Sequence, residues 1–124
     1  MTLVTNAKGR ALRFREMVLL SLQVAGVSGI TQKREFKKMS ERLLAAEAHS
    51  DIQGLDQWAV LTRIEHTRDT SGALDQAGEA ARLDGKTKSA VIWYRSGREA
   101  SEQYVIMPLS SFAEVLVAEQ GRTP

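Results

Sequence analysis

Eight basic side chains in the first third of the chain carry the plainest chemistry: Arg10, Arg13, Arg15, Lys33, Arg34, Lys37, Lys38 and Arg42. Guanidinium and ammonium groups grouped in this way suit phosphate oxygens, giving affinity and salt dependence with little sequence reading. Residues 1–44 hold nine Lys/Arg against three Glu, a net +6, whereas residues 45–124 hold eight Lys/Arg against twelve Asp/Glu, a net −4. A basic N-terminal third on a mildly acidic body suits an anionic partner. The same cluster also reads as the solvated face of a helix.

A second group lies near the middle. Asp51 precedes Ile52-Gln53-Gly54-Leu55, where an Asp stabilises a turn by accepting from nearby backbone amides. The strand that follows sets Leu61, Arg63 and Glu65 on one face. Asp75 and Glu79 fall on the next helix, and these carboxylates read either as solvated surface or as oxygens able to reach a site. His49 and His66 are the two histidines and there is no cysteine, fewer than the three or four ligands a zinc site needs. No nucleophile elbow, P-loop or G-x-G-x-x-G is present.

The elements that must position these groups can be read from periodicity. From about Gly9 to Ala25, Ala11, Phe14, Val18, Leu22 and Ala25 form one apolar helical stripe. Gly26 and Gly29 end it. Residues 31–48 read as a second helix, with Phe36, Met39 and Leu43 on one face and the Ala-rich end favouring helix. A further, early strand is expected around 27–32. Trp58–Ile64 reads as a strand by its β-branched and aromatic content. A helix capped by Asp69, Thr70 or Ser71 runs to about Leu83, and Leu74, Ala77 and Ala81 give it a narrow small-residue face. Ala90-Val91-Ile92-Trp93-Tyr94 is a nearly continuous apolar strand, hence buried on both faces. Gln103–Met107 returns as a strand, and Ser111–Glu114 has capping-box spacing for a last helix docked by Phe112, Val115 and Leu116. Strands alternating with helices predict an α/β (α+β) fold, a small mixed sheet flanked by helices.

The chain of 124 residues suits a single domain over 1–124, with a basic helical part at about 9–48 and a core at about 50–118. No apolar run approaches the roughly 18 residues a membrane span needs, and no secretory leader is visible. The expected compartment is the cytoplasm.

Asp51-Ile52-Gln53-Gly54-Leu55 with Trp58-Ala59-Val60, then Leu74-Asp75-Gln76-Ala77, then Val91-Ile92-Trp93-Tyr94-Arg95 and Tyr104-Val105-Ile106-Met107-Pro108-Leu109 before Phe112, resemble in order and spacing the PD-(D/E)XK nucleases. The likeness is to the small Holliday-junction resolvase-like form found in phage and actinobacteria. It covers residues 51–117 with gaps. It implies a restriction-endonuclease-like core, DNA as partner, a homodimer, and Mg²⁺ or Mn²⁺ as the cofactor of an active enzyme. In such enzymes carboxylates hold a divalent metal through hard oxygens, the metal activates water, and a lysine stabilises developing charge.

Carried over residue by residue, Asp51 matches the metal-ligating Asp, whereas Leu61-Thr62-Arg63 stands where Glu-x-Lys belongs. Leu61 cannot ligate a metal. Arg63 keeps positive charge, but its planar fork differs from an ammonium. Asp51 and Arg63 are therefore the candidate catalytic residues, joined by Glu65 or Glu79 if the site has migrated. Glu65 lies roughly 13 Å along the strand from position 61, too far to replace it without a bulge. The expectation is a phage- or plasmid-type pseudo-nuclease that needs no cofactor. It would bind nucleic acid, with branched DNA as one candidate, through Arg10, Arg13, Lys33, Arg34, Lys37, Lys38 and Arg42. The alternatives are an active endonuclease with a rearranged site, and a module that binds a host protein without DNA.

Overall fold

The computed structural model describes residues 6–33, 38–65 and 69–121. Arg34, Phe36, Lys37 and His66 lie outside the described residues. The first helix, α1, spans Ala7–Val24, and the Asn6 side chain caps it by accepting from the Gly9 amide at 2.7 Å. Its apolar stripe works as the periodicity predicts. Phe14 and Val18 are buried and Leu22 packs against them. Ala25, the last position of the stripe, is exposed because it is already the C-cap.

Among the described residues, the predicted helix over 31–48 is interrupted. Thr31–Gln32 forms strand β1, which falls within the early strand expected around 27–32 and takes the first residues of the predicted helix. Helix α2 is confined to Met39–Leu44 and buries no residue. Met39 and Leu43 remain exposed, so they form no core face. Ala45 is extended and ends the helix. Beyond it, Ala48 and Ser50 are buried, and the Asp51 amide donates to Val60 O at 2.8 Å. The backbone here joins the sheet, and that pairing overrides the helical preference of the alanines.

The five strands run in spatial order β1, β2 (Ile52–Gln53), β3 (Trp58–Arg63), β4 (Lys88–Trp93) and β5 (Tyr104–Ile106). Only β3 and β4 are parallel; the other neighbours are antiparallel. Helix α3 (Thr70–Asp84) makes the crossover between them. Asp69 caps its start by accepting from the Gly72 amide, and Gly85 in the left-handed region ends it. The protein is thus a small mixed α+β fold.

The sheet is covered on both faces. On one, Ala73, Ala77, Ala80 and Ala81 of α3 lie against Ala59, Leu61, Val91 and Trp93. Small side chains let helix and sheet approach closely, as the narrow face of α3 predicts. On the other, Phe14 and Val18 of α1 pack on Ile30, Ile52, Val60 and Ile92. Alternation along β3 decides which side chain meets which helix. Strand β4, paired on both edges, is buried at Ala90, Val91, Ile92 and Trp93, as its apolar run requires.

The last helix, α4, spans Leu109–Glu119 and starts ahead of the predicted capping box. Pro108 is its N-cap and lends no side-chain bond; its ring suits the chain for helix entry. Ser111 falls inside the first turn instead, where its Oγ accepts from the Ser89 amide at 3.3 Å and ties α4 to β4. Phe112, Val115 and Leu116, expected to dock the helix, each stay more than a third exposed.

Candidate functional site

The turn from β2 to β3 sets the geometry around Asp51. Gly54 has φ +93°, and a Cβ there would strike Gly29 O. Only glycine meets both demands. The Gly54 amide donates to the Glu47 carboxylate at 3.1 Å. Lys86 pairs with that carboxylate at 3.2 Å and also donates to Leu55 O at 2.8 Å. The tightened turn brings the segment before β2 against β3. There the Asp51 carbonyl accepts from the Lys33 amide at 2.8 Å.

The Asp51 side chain is 8% exposed. Its Oδ2 accepts from the Thr62 amide at 2.8 Å and from the Thr62 hydroxyl at 3.2 Å. Arg15 approaches Oδ1 at 3.4 Å and Arg63 approaches Oδ2 at 3.8 Å. The carboxylate is therefore held by two guanidiniums and a threonine. Arg63 is fixed from its other side: Nη2 donates to Gln76 Oε1 at 2.7 Å and Nη1 to Thr62 O at 2.8 Å. Arg15, grouped by sequence with the phosphate-contacting residues, turns inward to Asp51, and its Nε is buried without a hydrogen-bond partner.

A cleft opens beside this cluster. Asp51, Leu61 and Arg63 share it with Lys33, Asp75 and Glu79. Leu61 is 5% exposed and belongs to the core under α3. Glu79 forms an exposed pair with Arg82, at 2.9 Å from Nε. The Arg82 hydrogen bond holds the Glu79 carboxyl below the usual glutamate range, and the same contact raises the guanidinium. Glu65 lies elsewhere, lining a pocket between α1 and the end of β3.

These groups do not fit a divalent cation. The buried Asp51 carboxylate is neutralised by two arginines, the apolar Leu61 lies beside it, and Arg63 adds positive charge where a cation would bind. Among the described residues, no three His, Asp or Glu side chains are placed to hold a metal ion.

The basic residues divide between two places. Arg10 and Arg13 are exposed on α1 and line the pocket that contains Glu65. Lys33 is half-buried in the cleft, and Lys38 is exposed before α2. Arg42 is engaged with His49, its Nη2 lying 3.2 Å from Nε2.

Sequence reading misses what holds His49. Asp84, 2% exposed, accepts from the His49 ring at 2.8 Å through Nδ1, and from the His49 and Ser50 amides at 3.1 and 3.0 Å. This fixes Nδ1 as the protonated nitrogen and turns the Nε2 lone pair toward Arg42. No local signal pairs these residues, because Asp84 reads simply as a helix end.

Among the described residues, no helix is long and apolar enough to cross a membrane. Comparison with protein-family models, with curated proteins and with solved structures finds no match to this chain.

Proposed function

We propose that this chain binds nucleic acid on a nuclease-like scaffold from which metal-dependent cleavage has been lost. The observation that carries the reading is the Arg15–Asp51–Arg63 cluster. At the position where the resemblance expects an open metal ligand, the carboxylate is committed to two cations. Arg10 and Arg13, exposed on the same first helix, leave positive charge facing outward for phosphate. The mixed sheet flanked by helices supports the nuclease-like part of the reading.

The test is a mobility-shift and cleavage assay on a labelled four-way junction and a matched duplex, with Mg²⁺ or Mn²⁺. Asp51→Asn serves as the control variant, since its amide oxygen still accepts from Thr62. The expected result is a shifted, intact junction. Strand products that Asp51→Asn fails to make would replace this reading with an active endonuclease. Asp75 and Glu79, which share the cleft with Asp51, would then be the carboxylates to substitute next.

A protein partner is the other reading with an observation behind it. Leu109 is 79% exposed, and Val105 and Phe112 are each about half exposed. An apolar surface of this kind suits a second subunit or a host protein. A dimer on sizing with no shift of either DNA would favour it.

A further inference from the structure

The pocket between α1 and the ends of β3 and β4 has a composition that the Asp51 cleft lacks. Its volume is about 540 Å³, within the range of small-molecule sites. Phe14, Met17, Ile64 and Tyr94 supply apolar wall, while Arg10, Arg13 and Glu65 also line it. Tyr94 is 39% exposed although it directly follows β4. Its ring is held edge-to-face by Phe14, with centroids 5.4 Å apart and planes at 76°. Phe14 is itself buried in the core, so the tyrosine is braced from beneath. The neighbouring Trp93 side chain goes the other way, into the core below α3. Its indole N–H donates to Glu65 O at 2.9 Å, which fixes the backbone of the pocket's acidic residue.

Arg10 and Arg13 are three apart on α1 and so lie on the same side of the helix. Among the described residues, neither has an ion-pair partner. Two free guanidiniums beside a braced aromatic ring match a nucleotide, with its anionic backbone and planar base. The Glu65 carboxylate argues against a phosphate inside the pocket and offers an acceptor to a base N–H. We propose that this pocket takes one unstacked nucleobase against Tyr94 while Arg10 and Arg13 hold the adjoining phosphates. The inference rests on the nucleic-acid-binding reading and adds a preference for single-stranded or splayed bases.

The experiment compares a short labelled oligothymidylate with an abasic strand of the same length, by fluorescence anisotropy at low ionic strength. Base stacking on an aromatic side chain predicts that the abasic strand binds roughly five- to a hundred-fold more weakly. Tyr94→Ala should erase the difference and Tyr94→Phe should keep it. The wild-type comparison needs no variant, so a folding defect in Tyr94→Ala leaves the test decisive. Equal binding of the two strands, abolished by Arg10→Glu with Arg13→Glu, would overturn the base pocket and leave backbone binding intact. Binding of neither strand, with the four-way junction still shifted, would also overturn the pocket alone. Failure of every nucleic acid would overturn both readings.

Discussion

The Arg15 guanidinium lies 3.4 Å from Oδ1 of Asp51, joining the first helix to the segment that enters β2. This contact makes Asp51 a structural residue. Asp51→Ala would leave two arginines facing each other with their shared counter-charge gone. The cost should be about 2–3 kcal/mol, below the range for fully buried pairs because Arg63 is 24% exposed. Urea unfolding of Asp51→Ala and Asp51→Asn measures it, with Asn losing less because it still accepts from Thr62. An unchanged midpoint for Asp51→Ala would contradict the structural role.

Gly54→Ala should destabilise the protein by about 2–3 kcal/mol, combining the strain of a left-handed residue with a backbone collision. Gly54 has φ +93° and a Cβ would meet Gly29 O. Gly85→Ala should cost less, since its Cβ meets nothing within 4 Å and only the positive φ is penalised. The difference between the two unfolding midpoints separates steric from conformational cost.

Asp84→Ala should destabilise the junction between α3 and the segment before β2. It removes the acceptor for the His49 and Ser50 amides and for the His49 ring in one step. An unsatisfied buried donor costs about 1–3 kcal/mol; these three are only partly buried and water recovers part of each loss, so destabilisation by about 2–4 kcal/mol in all is expected. Faster amide exchange at His49 and Ser50 would localise the effect.

Glu79 offers a titration test. Its carboxyl is held below the ordinary glutamate value chiefly by the Arg82 hydrogen bond. A group lowered in the folded state adds stability above its unfolded value, and that stability is lost as pH falls through the folded value. The pair is exposed, so the effect on stability is small. In a carbon-detected NMR titration, Arg82→Ala should move the Glu79 midpoint upward. No movement would show that the two side chains do not pair in solution.

The legible parts of the fold are those whose pattern and tertiary surroundings agree. The small-residue face of α3 and the apolar run of β4 state their burial directly, and Ala77 and Val91 are fully buried. Residues 45–48 are illegible because local preference and tertiary pairing conflict, whereas His49-Ser50-Asp51, which reads as the exit from helix, is non-helical. Alanines favour helix over 45–48, yet Asp51 N bonds Val60 O and draws the chain into the sheet. Sequence order groups Asp51, Leu61 and Arg63 correctly, since β2 and β3 are neighbours. It leaves Arg15 on the basic surface, because a helical pattern gives a side chain's face without naming its partner. The Tyr94 pocket is hidden for a related reason. Its walls come from α1, β3 and β4, and no single stretch of sequence contains them.

Nucleic-acid binding through α1 is tested most directly by the dependence of DNA affinity on salt, for the wild type and for Arg10→Glu with Arg13→Glu. Wild-type affinity should weaken steeply as salt rises. The variant should show a shallower slope, by about 0.7 for each single-strand phosphate that the two arginines no longer neutralise. Absent binding, or binding whose affinity and salt slope the double substitution leaves unchanged, would contradict the proposed role of these two residues and of the surface they form.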